Sequence, residues 1–205
     1  MSDWKSRIEE YRKVSLQSDF LEARVNAELE ARELLKSKLG QFNREDLELF
    51  LKLCNTENVP KDIYTNTLRN KLTNTRFQLS FIGANKSLMI NDLDKCNKWM
   101  PILWNTPDNI KTVGEFWKCD QVRGAGMGLP TMILYLKDSV KYNVWIPFLS
   151  KALEKCNGRI LETVRNGQNY RDYNNTISNT LKIIPLETPL WPQEIDYILY
   201  RIGRA

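Results

Sequence analysis

Three glycines at alternate positions, Gly124, Gly126 and Gly128, precede an apolar run, Met132-Ile133-Leu134-Tyr135-Leu136. Alternating glycines let a backbone turn tightly, adopt positive φ and come close to a bulky neighbour. The apolar run reads as a buried helix. A helix that starts just after such a turn leaves unpaired N–H groups and a partial positive charge at its first residues. The pattern therefore predicts a corner suited to an anion such as phosphate. The competing reading is a tight turn between two core helices, in which glycine serves packing alone.

The rest of the chain predicts an all-α fold. Trp4, Ile8 and Tyr11 fall at helical spacing, and after a break at Gln17-Ser18-Asp19 a second segment runs from Phe20 to Leu39. In that segment Leu21, Val25 and Leu29, then Leu35 and Leu39, form the expected apolar stripe. Gly40 is a stop. Asn43 caps a helix with Glu45 and Asp46 in its first turn and Leu47, Phe50, Leu51 and Leu53 on its apolar face. A helix is expected from Pro60 to Leu72, an irregular or helical stretch over Arg76–Leu88, and a helix over Leu93–Trp104. Asp108 caps a short helix carrying Val113, Phe116 and Trp117. Leu129–Lys137 follows the glycines, Pro147 opens a helix ending near Gly158, and Asn166-Gly167 marks a turn. Helices over Tyr170–Ile183 and Pro192–Gly203 close the chain. The expectation is one domain over residues 1–205. Within it, an N-terminal helical hairpin (1–40) packs on a main bundle (41–205) that contains the 122–137 hairpin.

Composition narrows the chemistry. The chain has no histidine, which removes Ser–His and Cys–His nucleophiles, histidine-ligated metals and the commonest general base together. Cys54, Cys96, Cys119 and Cys156 form no CxxC pair, so no structural zinc site is expected. The glycines lack the Lys-Ser/Thr of a Walker A loop and no strand precedes them, which excludes a nucleotide loop. Asp92 and Asp94, like Glu9 and Glu10, read as caps or surface charge. No catalytic residue, metal or cofactor is expected. No apolar run approaches the roughly 18–20 residues of a membrane span, and the start of the chain lacks a signal-peptide pattern. A cytoplasmic protein without membrane contact is expected.

The formal net charge of +5 permits attraction to a phosphate backbone. Lys118, Arg123, Lys137, Lys141 and Lys151 surround the glycines in sequence, where they form a basic rim if they converge and scattered solvated charge if they do not. Trp99, Trp104, Trp117 and Trp145 lie in the same region. Tryptophan at helical spacing belongs to the core, whereas Trp145 sits between helices and is a candidate to stack on a base. The N-terminal helices, rich in Glu and Arg, predict a solvent-exposed pair or a protein contact.

The glycine turn resembles the helix-hairpin-helix, which seats one strand of the DNA backbone. The succession of Thr75-Arg76-Phe77-Gln78-Leu79-Ser80-Phe81-Ile82-Gly83-Ala84-Asn85, Asn97-Lys98-Trp99-Met100-Pro101-Ile102-Leu103-Trp104, Gly124-Ala125-Gly126-Met127-Gly128 and Tyr142-Asn143-Val144-Trp145 resembles the N-terminal region of McrB-type, modification-dependent restriction GTPases. The resemblance covers about residues 75–155. It implies a module that recognises duplex DNA, sensing a modified base, beside an AAA+ GTPase motor and a separate nuclease subunit. The chain would then be the excised recognition part of a longer protein. DNA glycosylases with this hairpin carry an aspartate after its helix, and Val144-Trp145-Ile146-Pro147 has none, which implies binding without catalysis. On this reading hairpin amides at Gly124, Gly126 and Gly128 hold a phosphate, with Arg123, Lys137, Lys141 and Trp145 as further DNA contacts. A helical protein-interaction module with incidental charge is the alternative.

Overall fold

The computed structural model describes residues 5–6, 8–9, 12, 20–54, 84–118, 122–145, 147–157, 160–182 and 190–195. These residues are helical or in connecting turns, and no strand occurs among them. In chain order the helices are α1 (Phe20–Ser37), α2 (Arg44–Leu53), α3 (Ala84–Asn91), α4 (Leu93–Asn105), α5 (Asn109–Lys118), α6 (Gly128–Lys137), α7 (Pro147–Asn157) and α8 (Gly167–Lys182). The expected helix over 60–72 and the Arg76–Gly83 part of the ambiguous stretch lie outside the described residues. Its remainder is α3.

Local signals explain the boundaries. Asn43 closes a capping box with Asp46: its Oδ1 accepts the Asp46 amide at 2.8 Å, and Asp46 Oδ2 accepts the Asn43 amide at 3.3 Å. Asp108 Oδ1 accepts the Lys111 amide at 3.1 Å and starts α5. Asn166, expected in a turn, is the cap of α8, since its Oδ1 accepts the Asn169 amide at 2.7 Å. Its Asn-Gly pair marks a helix start because asparagine competes well for free helical amides.

Helix α6 is the centre of the bundle. All nine residues from Gly128 to Leu136 are buried, and α1, α4 and α5 pack against it. A helix apolar around its whole circumference belongs in the interior. Around it, α5 packs on α8, α1 on α2, and α2 on α3. One contiguous buried cluster runs from Ile8 and Leu35 through Leu47, Met100, Phe116 and Leu134 to Tyr173 and Ile177.

The stripe on α1 differs from the sequence expectation. Leu29 is exposed and Val25 half-buried, while Arg24, Glu28, Ala31 and Leu35 face inward. The helix is rotated so that two opposite charges four residues apart enter the interior. Partners outside α1, described below, make that rotation possible.

Candidate nucleic-acid interface

The turn Val122–Met127 leads into α6. Val122, Ala125 and Met127 are buried, whereas Gly124 and Gly126 are half-buried. The Ala125 amide donates to the Val122 carbonyl at 3.2 Å and the Leu129 amide to the Ala125 carbonyl at 3.1 Å. Both Gly124 (φ 81°) and Gly126 (φ 54°) are left-handed, a conformation that suits glycine. Their surroundings differ. A Cβ on Gly124 would run into the Asn85 carbonyl, whereas one on Gly126 would meet nothing within 4 Å. Gly124 therefore seats the turn against α3, and Gly126 leaves a notch open to the outside.

The start of α6 is bare. Met127 stands at its cap position without a side-chain cap, and the first turn carries no acidic residue. The amides of Gly124, Gly126, Met127 and Gly128 have no acceptor among the described residues. Gly126→Ala is expected to cost about 1–2 kcal/mol, the strain of a left-handed Cβ. Gly124→Ala carries the same strain plus a backbone collision and should cost more. Urea unfolding of the two variants measures the difference, and an equal cost would show that the close approach to α3 is relieved at no expense.

Arg123 sits beside the notch and is engaged. Its amide donates to Asp92 Oδ2 at 2.9 Å, Nε to the same oxygen at 3.1 Å, and Nη2 to Oδ1 at 3.0 Å. The Arg123 side chain is 60% exposed and that of Asp92 only 10%. These guanidinium bonds, with the Arg123 amide and the charges of Arg123 and Lys95, hold the Asp92 carboxyl below its ordinary range despite partial burial. Its contribution to stability is thus present above its unfolded pKa and is lost as pH falls through the folded one. Asp92 is neither a cap nor idle surface charge. Lys118, at the end of α5, is exposed, and Lys86, which follows the Asn85 that meets Gly124, is half-buried.

Lys137 and Lys141 do not join the rim. Lys137 ends α6, about 14 Å from Gly128 at 1.5 Å per residue, and Lys141 lies four residues beyond it. Lys137 donates to the Thr106 carbonyl at 3.0 Å and Asn109 Oδ1 at 3.1 Å. Burial, then the charge of Lys141, lowers its pKa. Lys141 is exposed, with its ammonium 5.1 Å from the Tyr142 ring centre. Hydrogen bonding with Tyr142 raises its pKa.

Trp145 is also displaced from the expected surface. It is fully buried. Its ring lies 5.4 Å from Trp117, 5.9 Å from Tyr170 and 5.8 Å from Tyr173. Nε1 donates to Ser150 Oγ at 2.8 Å, and the backbone amide donates to Thr131 Oγ1 at 3.0 Å. A position between helices suggested exposure, but polar anchors on α6 and α7 pull the loop inward. Trp145 is core and cannot stack on a base in this fold.

A second polar cluster was missed from sequence. Glu28 Oε1 accepts Arg24 Nε at 3.1 Å and the Tyr135 hydroxyl at 3.0 Å, and Oε2 accepts Gln193 Nε2 at 2.7 Å. Arg24 Nη1 donates to the Gln193 carbonyl at 2.6 Å. Arg12 makes two bonds to the Glu194 carboxylate, both 3.2 Å. Burial raises the Glu28 pKa, and the Arg24 charge opposes that rise. A narrow cleft between Arg24, Tyr135, Tyr173 and Ile195 lies beside this cluster. The N-terminal helical segment is therefore not a solvent-exposed charged pair, since its Arg24 and Glu28 are buried against α6 and the 190–195 segment. The Arg-x-x-x-Glu spacing was the available signal.

Burial pushes the Cys54 thiol well up and the Cys96 thiol up to about 12, so neither is a thiolate nucleophile at neutral pH. Among the described residues no group of His, Cys, Asp and Glu could hold a metal ion. No helix among them is long and apolar enough to cross a membrane. No protein-family model, curated protein or solved structure matches the chain.

Proposed function

We propose that this chain binds duplex DNA through the Gly124–Gly128 corner and acts as the target-recognition module of a restriction or defence system. The observation that carries the reading is the open notch at Gly126, where amides without an acceptor among the described residues stand beside Arg123. A backbone phosphate over Gly126 accepts from the amides of the two half-buried glycines, Gly124 and Gly126, and the dipole of α6 favours its charge. Lys118 and Lys86 add positive charge, while that of Arg123 and Lys95 is partly offset by Asp92. Lys141 reaches only a separate phosphate further along the duplex, and Lys137 stays with Thr106 and Asn109. The resemblance to McrB-type recognition regions supports DNA as the polyanion, a modified base as the feature sensed, and a GTPase motor and nuclease as partners. Binding without chemistry is favoured at this corner, because Asp92, the carboxylate beside it, is occupied by Arg123 and is a poor general base.

Titration of a labelled duplex, methylated and unmethylated, at two salt concentrations tests the reading. Contact with about four phosphates predicts a roughly hundredfold loss of affinity between 50 and 200 mM salt. Undetectable binding at the lower salt would overturn the proposal. It would favour protein docking, which the exposed side chains of Ile160, Val164 and Trp191 support.

A further inference from the structure

We infer that Asp92 is a built-in competitor for the corner, an internal carboxylate that occupies the Arg123 donors a DNA phosphate would use and so sets the affinity of the site. The inference rests on the DNA-binding reading above and concerns the regulation of that same site.

Asp92 stands at the cap position of α4, where an aspartate ordinarily accepts an amide of its own helix. It makes no such bond. Its carboxylate instead turns to the 122–127 turn, a separation of 31 residues, and takes both the amide and the guanidinium of Arg123. An amide and a guanidinium fork converging on one oxyanion are the donor set that phosphate recognition uses. Only 10% of the Asp92 side chain is exposed, while Arg123 remains 60% exposed. The guanidinium is therefore accessible to an external anion, but its charge is already matched. Lys95, which also acts on Asp92, is partly offset by the same carboxylate. A phosphate entering the notch meets a neutralised pair and must either displace Asp92 or bind against its charge.

Asp92→Asn separates these effects, because its amide oxygen still accepts the Arg123 N–H while the negative charge is gone. The variant should bind a DNA duplex about fivefold tighter at low salt, with a salt slope steeper by about 0.9 for the released phosphate contact. Asp92→Ser restores a side chain suited to capping α4 and should show the same gain, which covers the case of an unfolded asparagine variant. Combining Asp92→Asn with Arg123→Gln should abolish the gain, since no guanidinium is left to release. If the parent binds DNA and neither Asp92 variant binds tighter, the competitor role is overturned while the binding reading stands. If parent and variants all fail to bind, the binding reading falls and this inference with it.

Discussion

Replacing Arg24 with alanine will destabilise the protein by about 3–5 kcal/mol, the cost of leaving a buried charge without its partner. Glu28 would keep the Tyr135 hydroxyl and the Gln193 amide but lose the cation that opposes its desolvation. The Gln193 carbonyl would lose its guanidinium donor as well. The penalty has a defined pH dependence. Glu28 already titrates above the ordinary carboxylate value in the folded state, so its ionisation works against folding. Its stabilising contribution is complete below the unfolded pKa and is lost as pH rises through the folded one. Removing Arg24 raises that folded pKa further, so the destabilisation should be smaller near pH 5 than near pH 8. Urea unfolding at both pH values measures it. An equal, small loss at the two pH values would mean that Glu28 reaches water when its partner is removed.

Trp145→Ala should cost a comparable 3–5 kcal/mol through the cavity it leaves. The ring fills the space between Trp117, Tyr170 and Tyr173, and its Nε1 satisfies the buried Ser150 hydroxyl. Trp145→Phe keeps much of the apolar contact but strands Ser150, so it should fall between the parent and the alanine variant. Calorimetric unfolding gives the order of the three proteins. Any loss of DNA binding by these variants should follow their unfolded fraction, unlike that of Arg123→Gln, which should weaken binding by more than the small stability loss from its Asp92 pair accounts for. A stable Trp145→Ala protein would contradict the packed position of this residue.

The fold was legible where capping and apolar continuity act locally. Asn43, Asp108 and the run after Gly128 each placed a helix within a residue or two of its observed start, because their determinants lie within one turn of chain. The glycine corner was also legible as a turn, since positive φ at Gly124 and Gly126 is a local demand. What escaped was every feature whose partner is distant in sequence. The rotation of α1 depends on Tyr135 and Gln193, the burial of Trp145 on Trp117, Thr131 and Tyr173, and the engagement of Arg123 on Asp92. Spacing on a single helix gives no information on such partners, so Leu29 read as core and Glu28 as surface. Proximity in sequence likewise suggested that Lys137 and Lys141 rim the corner, although the length of α6 sets them at its opposite end.

The span of the Arg24–Gln193 and Arg12–Glu194 contacts, 169 and 182 residues, has a consequence for biosynthesis. Arg24 and Glu28 leave the ribosome long before residue 193 exists, so during most of translation the inward face of α1 lacks part of what makes its burial tolerable. Both charges are better hydrated than buried until then. The bonds of α1 to Tyr135 and the Leu136 carbonyl can form before then, whereas those to Gln193, and those of Arg12 to Glu194, must wait for the last of these residues to emerge. A chain cut short before residue 193 would keep the Arg24–Glu28–Tyr135 bonds but lack the Gln193 contacts that complete the burial of this pair.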